Sequence, residues 1–331
     1  MKTLLFISSF VLSLSAAQAA DQFSDLQWGY NNKGTAQLID LDPLRTYRVE
    51  ARVGQDIHPL NPVKANKKII VAVLDTGVQR SHPDLQAVIH RNPSECKALE
   101  KFLKCVQEKD RTTCEKIWMD LKNPEVDQDK NGYPLDCAGW SLLGGQNEAH
   151  IMGRPDFDDS QGHGTHVAGI IGAVLDNNIG VRGVSQNVEI LPVQVIGVQP
   201  SEPVKPLSVF DTIKEEDMPG KNSTLGDMIA RGIIYAVRSG AKVINLSLGW
   251  PQAVDSPFMR QAIAEAQERG VFIVAAAGND STRALLRPCA YKNVICVGAS
   301  SPDGAMAHFS NYGSGVDIVA PGVNILSTYP E

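Results

Sequence analysis

From Ile69 onward the chain alternates short, nearly continuous apolar runs with stretches whose apolar positions recur at threes and fours. The runs cover 69–74, 188–195, 243–248, 271–275 and 294–297, and Val and Ile dominate them. A strand that is apolar on both sides must be covered on both sides, so these runs predict strands of a parallel sheet. Between them, Leu225, Met228, Ile229, Gly232, Ile233 and Ala236 keep helical spacing up to Gly240. Phe258, Ala262, Ile263 and Ala266 do the same up to Gly270. Each closing glycine suits the left-handed residue that follows a helix. Strands alternating with helices predict an α/β domain: a doubly wound, mostly parallel sheet with helices on both faces. In such sheets chemistry collects at the carboxyl ends of the strands.

Two stretches break the alternation and read as insertions. Residues 92–137 are rich in charge and cysteine; Leu99, Phe102, Leu103 and Val106 form one helical stripe, and Thr112 with Glu115 makes a capping-box start for a second short helix. The segment predicts a helical hairpin stapled to the main body. Residues 198–223 hold Pro200, Pro203, Pro206 and Pro219 among charged residues and predict a surface loop. No internal repeat is present.

Composition narrows the class. The 331 residues are 43% hydrophobic and 21% charged, which excludes collagen-like, low-complexity and wholly disordered chains. The formal charge of −6, without a basic stripe, argues against a nucleic-acid or anionic-membrane partner. Residues 1–20 differ from the rest: Lys2, an apolar run from Leu4 to Leu14, then small residues ending Ala17-Gln18-Ala19-Ala20. This is the pattern of a secretory signal peptide, and the run is too short to span a bilayer. No cysteine follows it to carry a lipid, so the expected mature protein is secreted, extracellular or periplasmic, and has no membrane anchor.

Export gives the six cysteines a meaning, since the destination permits disulfides. Cys289 and Cys296 flank a short apolar run and are expected to pair. Cys96, Cys105, Cys114 and Cys137 are expected to form their own cluster, with the pairing open. Their wide spacing lacks the close pairs of a zinc site.

Three segments carry candidate chemistry. The strand 69–74 ends in Asp75-Thr76-Gly77, a carboxylate at a strand tip. Gly162-His163-Gly164-Thr165-His166-Val167-Ala168-Gly169 places an imidazole at the start of a predicted helix whose glycines permit close packing. Ala275-Ala276-Ala277-Gly278-Asn279 is a strand of small residues ending in an amide, suited to the near approach of another backbone. Each alone is weak: Asp before Gly is common at turns, a lone His is more often structural, and the Asn suits a turn after a strand.

Taken in order, these segments resemble the Asp, His and oxyanion motifs of the subtilisin-like serine proteases. Gly240-Ala241-Lys242-Val243-Ile244-Asn245-Leu246-Ser247-Leu248-Gly249, Phe309-Ser310-Asn311-Tyr312-Gly313 and Ala320-Pro321-Gly322 extend the match. The resemblance covers most of 66–331 outside the insertions and implies a catalytic domain there, with 21–65 as an N-terminal extension and no separate inhibitory prodomain. It implies that Asp75 orients His163, that His163 is the base for a serine attacking a peptide carbonyl, and that Asn279 donates to the developing oxyanion. Ser247, Leu248, Gly249, Ala276 and Ala277 would line the cleft for an extended protein or peptide substrate, and the protein is expected to be a monomer.

The resemblance also implies a calcium site. Asp84 in Ser81-His82-Pro83-Asp84-Leu85 would supply a carboxylate, Asn177 an amide oxygen, and Leu175, Ile179 and Val181 backbone carbonyls. Asp127-x-Asp129-x-Asn131-Gly132 is similar to the first half of an EF-hand loop. Its twelfth position is Ala138 where a bidentate Glu belongs, so an acidic turn without an ion is the expectation there.

One motif of the family is missing. The nucleophile of these proteases lies in Gly-Thr-Ser-x-Ala, shortly beyond the segment resembled by Ile325-Leu326-Ser327-Thr328-Tyr329-Pro330, and no Gly-Thr-Ser occurs in this sequence. The expectation is therefore a serine endopeptidase domain that is inactive as these residues stand, for want of its serine segment. The alternative is a pseudoprotease that binds peptides without cutting them.

Overall fold

The computed structural model describes residues 21–23, 26–27, 39–40, 48–49, 68–108, 127–133, 136–143, 159–197, 225–252 and 256–330. Its centre is a seven-stranded sheet in the order β4-β5-β3-β6-β7-β8-β9, with every neighbouring pair parallel. The strands are β3 (Ile69–Asp75), β4 (Trp140–Ser141), β5 (Val188–Gln194), β6 (Val243–Leu246), β7 (Phe272–Ala276), β8 (Ile295–Ser300) and β9 (Ile318–Pro321). A separate antiparallel pair, β1 (Ile39–Asp40) and β2 (Arg48–Val49), precedes it. The helices are α1 (Pro93–Glu108), α2 (His163–Gly172), α3 (Leu225–Arg238) and α4 (Pro257–Glu268).

Both faces of the sheet are covered, as the continuous apolar runs require. On β3, Ala72 and Leu74 join one core with Ile229 and Ile233 of α3 and Met259 and Ile263 of α4. Val71 and Val73, pointing the other way, join a second core with Val167 and Ala168 of α2 and with Leu85 and Val88. A period of two along one strand thus divides the two layers. After β3 the chain winds to one side through α2 to β5, then returns across the sheet to β6 on the other side of β3. This reversal makes the carboxyl ends of β3 and β6 the topological switch point, where a crevice must open.

The predicted strands and helices appear, with differences at their ends. β6 stops at Leu246 rather than at residue 248, because the chain turns there to bring Trp250 against Arg287, which exchange backbone hydrogen bonds at 2.9 and 2.8 Å. β8 runs on to Ser300, since β9 pairs with it through Ser300↔Pro321. β9 is an edge strand among the described residues and tolerates Pro321; its apolar run, Ile318-Val319-Ala320, is too short to announce a strand by itself.

The insertion 92–137 contains the first expected helix, α1, and is tied down by the Cys96–Cys137 disulfide. Cys105 is also disulfide-bonded. Cys289 and Cys296 pair with each other as expected, across a Cα–Cα distance of 5.0 Å. Cys114, the second helix near Thr112, the loop 198–223 and the N-terminal signal pattern lie outside the described residues. No described helix is long and apolar enough to cross a membrane.

Candidate active site

Asp75 is the last residue of β3, at the switch point, and is fully buried. His163 is the first residue of α2. Their side chains meet: His163 Nδ1 lies 2.7 Å from Asp75 Oδ1, which also accepts from the Thr76 amide at 2.7 Å. The imidazole is about half exposed, with 54% of its side-chain surface accessible against none for Asp75. The Asp75 hydrogen bond raises the imidazole pKa above its ordinary value, outweighing the opposing effect of burial; the charge of Asp75 and the more distant Asp159 add to it. A carboxylate on Nδ1 fixes the ring tautomer and leaves Nε2 for proton transfer.

A second carboxylate, which sequence reasoning missed, builds the frame. Asp159 Oδ1 accepts from the amides of Gln161 and Gly162, at 3.1 and 2.8 Å, and from Thr76 Oγ1 at 2.8 Å. Its Oδ2 accepts from the amide and hydroxyl of Thr165, at 2.9 and 2.7 Å. Burial works against this charge, but the hydrogen bonds from Thr165, Gly162 and Thr76 prevail and hold the carboxyl below the usual range. Asp159 thus satisfies orphan amides in the first turn of α2. Thr76 in turn accepts from the Gly164 amide at 2.9 Å, linking the tip of β3 to the same turn.

The close approach explains the glycines. A Cβ on Gly164 would strike the carbonyl oxygen of Gly77 and stand 3.0 Å from Asp75 Cβ. From the other side, Thr328 Oγ1 and Ser327 Oγ donate to the carbonyls of Thr165 and His166, each at 2.7 Å, and Tyr329 donates to that of Gln161 at 3.0 Å.

The residues expected to line a substrate cleft follow strands of the same sheet, at their carboxyl ends. Ser247, Leu248 and Gly249 continue from β6, and Ala277 follows β7, which ends at Ala276. Asn279 is exposed just beyond, after Gly278 with its left-handed φ of 110°. The turn around Asn279 is braced by buried Asn311, another residue given no role from sequence. Asn311 Oδ1 accepts from the amides of Asp280 and Thr282, at 2.9 and 3.2 Å, and its Nδ2 donates to the carbonyl of Ala277 at 3.0 Å. β6 alone separates β3 from β7, so Asp75 and the turn that holds Asn279 follow the carboxyl ends of strands one apart in the sheet.

Two places have donors of the kind calcium uses. Around Asp84, the loop 175–181 folds against the carboxylate: Asn177 Nδ2 and the Val181 amide donate to it at 2.8 and 2.9 Å, and Asn177 Oδ1 accepts from Ile179 at 2.8 Å. Burial pushes the Asp84 carboxyl up, against those bonds from Val181 and Asn177. The second place is the half EF-hand. Glu95 of α1, wholly buried, stands against it, and one carboxylate oxygen from each of Glu95, Asp127 and Asp129 lies within 4.8 Å of the others. The carboxylate absent at Ala138 is therefore offered from a helix earlier in the chain. Asp127 Oδ1 is buried without a hydrogen-bond partner, and burial together with Asp127 pushes the Asp129 carboxyl up.

A parallel α/β sheet with a buried carboxylate and a helix-borne imidazole joined at its switch point defines a class of acid–base site suited to hydrolysis. The profile of the subtilase family, Peptidase S8, matches residues 66–331, and the chain belongs to that family. It is 41% identical over 180 residues to subtilisin Savinase of Lederbergia lenta, covering 54% of this chain and 58% of that one. It is 42% identical over 180 residues to an alkaline protease of Alkalihalobacillus alcalophilus, covering 54% and 41% respectively. The major intracellular serine protease of Bacillus subtilis (strain 168) is 34% identical over 273 residues, covering 80% of this chain and 61% of its own length. The chain spans about half the length of the curated relatives it matches. Among solved structures, a protease of Pseudoalteromonas arctica PAMC 21717 shares the fold with a TM-score of 0.57 at 24% identity, over 95% of this chain and 80% of that one.

Proposed function

We propose that residues 66–331 form the acid–base framework of a secreted serine endopeptidase. Asp75 holds His163 in one tautomer and stabilises its protonated form; His163 Nε2 takes the proton of a serine hydroxyl as it attacks a peptide carbonyl and returns it to the leaving amine. Asn279 donates to the oxyanion; loss of such a donor costs about 3–4 kcal/mol, a figure that comes from subtilisin itself. The observation that carries this reading is the 2.7 Å contact between a fully buried carboxylate and a half-exposed imidazole. The Gly-Thr-Ser motif does not occur in the sequence, so the reading requires a hydroxyl supplied by a segment outside these residues.

Secretion is supported by the N-terminal signal pattern and by the disulfides, which persist in oxidising compartments. Protein or peptide substrates follow from the family. Calcium is proposed as a structural ion. Both the Asp84 loop and the Glu95–Asp127–Asp129 cluster have suitable oxygen donors, and the second fits better. There Asp127 Oδ1 is orphaned, whereas both oxygens of Asp84 already accept hydrogen bonds. A bound ion would neutralise the clustered carboxylates and clamp α1 to the loop.

A fluorophosphonate probe tests the reading. It leaves the 331-residue chain unlabelled and labels a chimaera in which a relative's Gly-Thr-Ser-x-Ala segment follows Glu331. With His163→Ala in that chimaera, labelling and casein hydrolysis disappear, a loss on the order of 10⁶ in kcat. Labelling of the unextended chain, or undiminished hydrolysis by the His163→Ala chimaera, contradicts it. A chimaera that is folded yet inert favours the pseudoprotease.

A further inference from the structure

The strand β5 ends on Gln194, a buried polar residue that the acid–base pair does not account for. It stands in the middle of a row that crosses three strands at their carboxyl ends. Ser141 of β4 is its register partner on one side, and Asp75 of β3 is its register partner on the other. Register partners in a parallel pair present their side chains to the same face of the sheet. The row therefore sets a hydroxyl, an amide and the carboxylate of the pair side by side.

Each end of the Gln194 amide has a partner. Ser141 Oγ donates to Gln194 Oε1 at 2.7 Å and itself accepts from the Leu143 amide at 3.3 Å. Gln194 Nε2 donates to the carbonyl oxygen of Thr76 at 2.9 Å. Turned over, the amide would set its oxygen against that carbonyl, acceptor against acceptor, so the two partners fix one orientation. Thr76 is buried, and a carbonyl left unpaired there is costly.

The Thr76 backbone is what touches the pair. Its amide donates to Asp75 Oδ1 at 2.7 Å, the same oxygen that meets His163 Nδ1. That amide shares a peptide plane with the Asp75 carbonyl, which accepts from the amides of Val195 and Ile196 at 2.9 and 3.2 Å. The next plane carries the Thr76 carbonyl, and Gln194 holds it. Both planes that meet at Thr76 Cα are thus fixed from the end of β5, and with them the direction of the N–H. The Gln194 amide also lies against the following residue: a Cβ on Gly77 would stand 3.4 Å from Nε2.

Resting on the endopeptidase reading, we infer that Gln194 is a positioning residue: its amide, oriented by Ser141, holds the Thr76 peptide so that the Thr76 N–H keeps Asp75 turned toward His163. Gln194 acts through Thr76 and touches neither the imidazole nor the reacting atoms. Ser141 closely follows Cys137, whose disulfide with Cys96 ties down the insertion, so the same row joins the insertion to the acid–base pair.

Hydrogen exchange of the purified 331-residue chain, followed by NMR, tests the hold. In Gln194→Met and in Ser141→Ala the Thr76 amide exchanges about tenfold faster relative to the amide of Ala72 in mid-β3, the scale of one lost buried hydrogen bond. Ser141→Thr keeps the hydroxyl and restores the parent ratio. The His163 Nδ1 proton signal moves upfield in the first two variants as its contact with Asp75 slackens. In the chimaera carrying a relative's serine segment, both variants lower kcat about tenfold and leave KM little changed, since alignment counts in the transition state. Where burial of Gln194 makes Gln194→Met unfold, Ser141→Ala at its half-buried site decides alone. An unchanged exchange ratio overturns the inference, and so does exchange that quickens at Thr76 and Ala72 alike, which is general loss of stability. An unchanged kcat in the altered chimaeras also overturns it. A parent chimaera that hydrolyses nothing overturns the endopeptidase reading, and the role of Gln194 in it, even where the exchange rates change as expected.

Discussion

Thr76 Oγ1 donates to Asp159 Oδ1 at 2.8 Å and accepts from the Gly164 amide at 2.9 Å. One hydroxyl therefore joins the residue after Asp75, the residue after His163, and the carboxylate that organises the first turn of α2. This triangle fastens the tip of β3 to the first turn of α2, the two places that carry Asp75 and His163.

Asp159→Ala removes five hydrogen bonds from a residue that is 3% exposed, leaving buried amides and hydroxyls without partners. Lost capping and unsatisfied donors together are expected to cost about 2–4 kcal/mol. Chemical denaturation measures this, and an unchanged midpoint refutes the bracing role. Asp159→Asn keeps one acceptor oxygen and should cost less.

Gly164→Ala forces a methyl group onto the Gly77 carbonyl and Asp75. Either α2 moves away or the strand tip does, so a loss of about 3 kcal/mol is expected, together with lengthening of the His163–Asp75 contact. Thermal unfolding and the His163 ring shifts report the two effects. A variant as stable as the parent, with the same ring shifts, contradicts the close packing seen here.

Calcium is expected to raise the melting temperature and chelation to lower it, with a stabilisation of about 2.7 kcal/mol when free calcium is a hundredfold above Kd. Asp127→Asn combined with Asp129→Asn removes most of that response if the ion sits with Glu95, and Asp84→Asn removes little. The reverse pattern assigns the ion to the Asp84 loop. No response to chelation in any of these proteins contradicts both.

What the sequence made legible depended on whether the signal was local. The strand 69–74 announced itself because both its faces are buried, and Asp75 and His163 because each sits at an element boundary beside glycines. Asp159 follows Asp156 and Asp158 in a polar stretch with no periodicity, so nothing local distinguishes the carboxylate that caps α2. Glu95 reads as one acidic residue in a charged helix; its meaning arises only when α1 folds against a loop more than thirty residues later. Asn311 was visible as part of a family motif but not as the brace for Asn279. The strand ends depended on tertiary pairing as well: Trp250 with Arg287 stops β6, and Pro321 with Ser300 extends β8.

The pH dependence of His163 is the most direct test of the pairing with Asp75. The folded pKa lies above 6.5 because Asp75 favours the protonated ring. Stability from the pair is thus full below the unfolded histidine pKa and is lost as pH rises through the folded one. Catalysis by a neutral base runs the other way and grows over that same upper range. Nitrogen-15 NMR titration of the ring should give a pKa above 6.5 in the unaltered chain and a lower value in Asp75→Asn, with Nδ1 keeping its proton when the ring is neutral. An identical pKa in the two proteins, or a neutral ring protonated at Nε2, would contradict the assignment of Asp75 as the residue that orients the base.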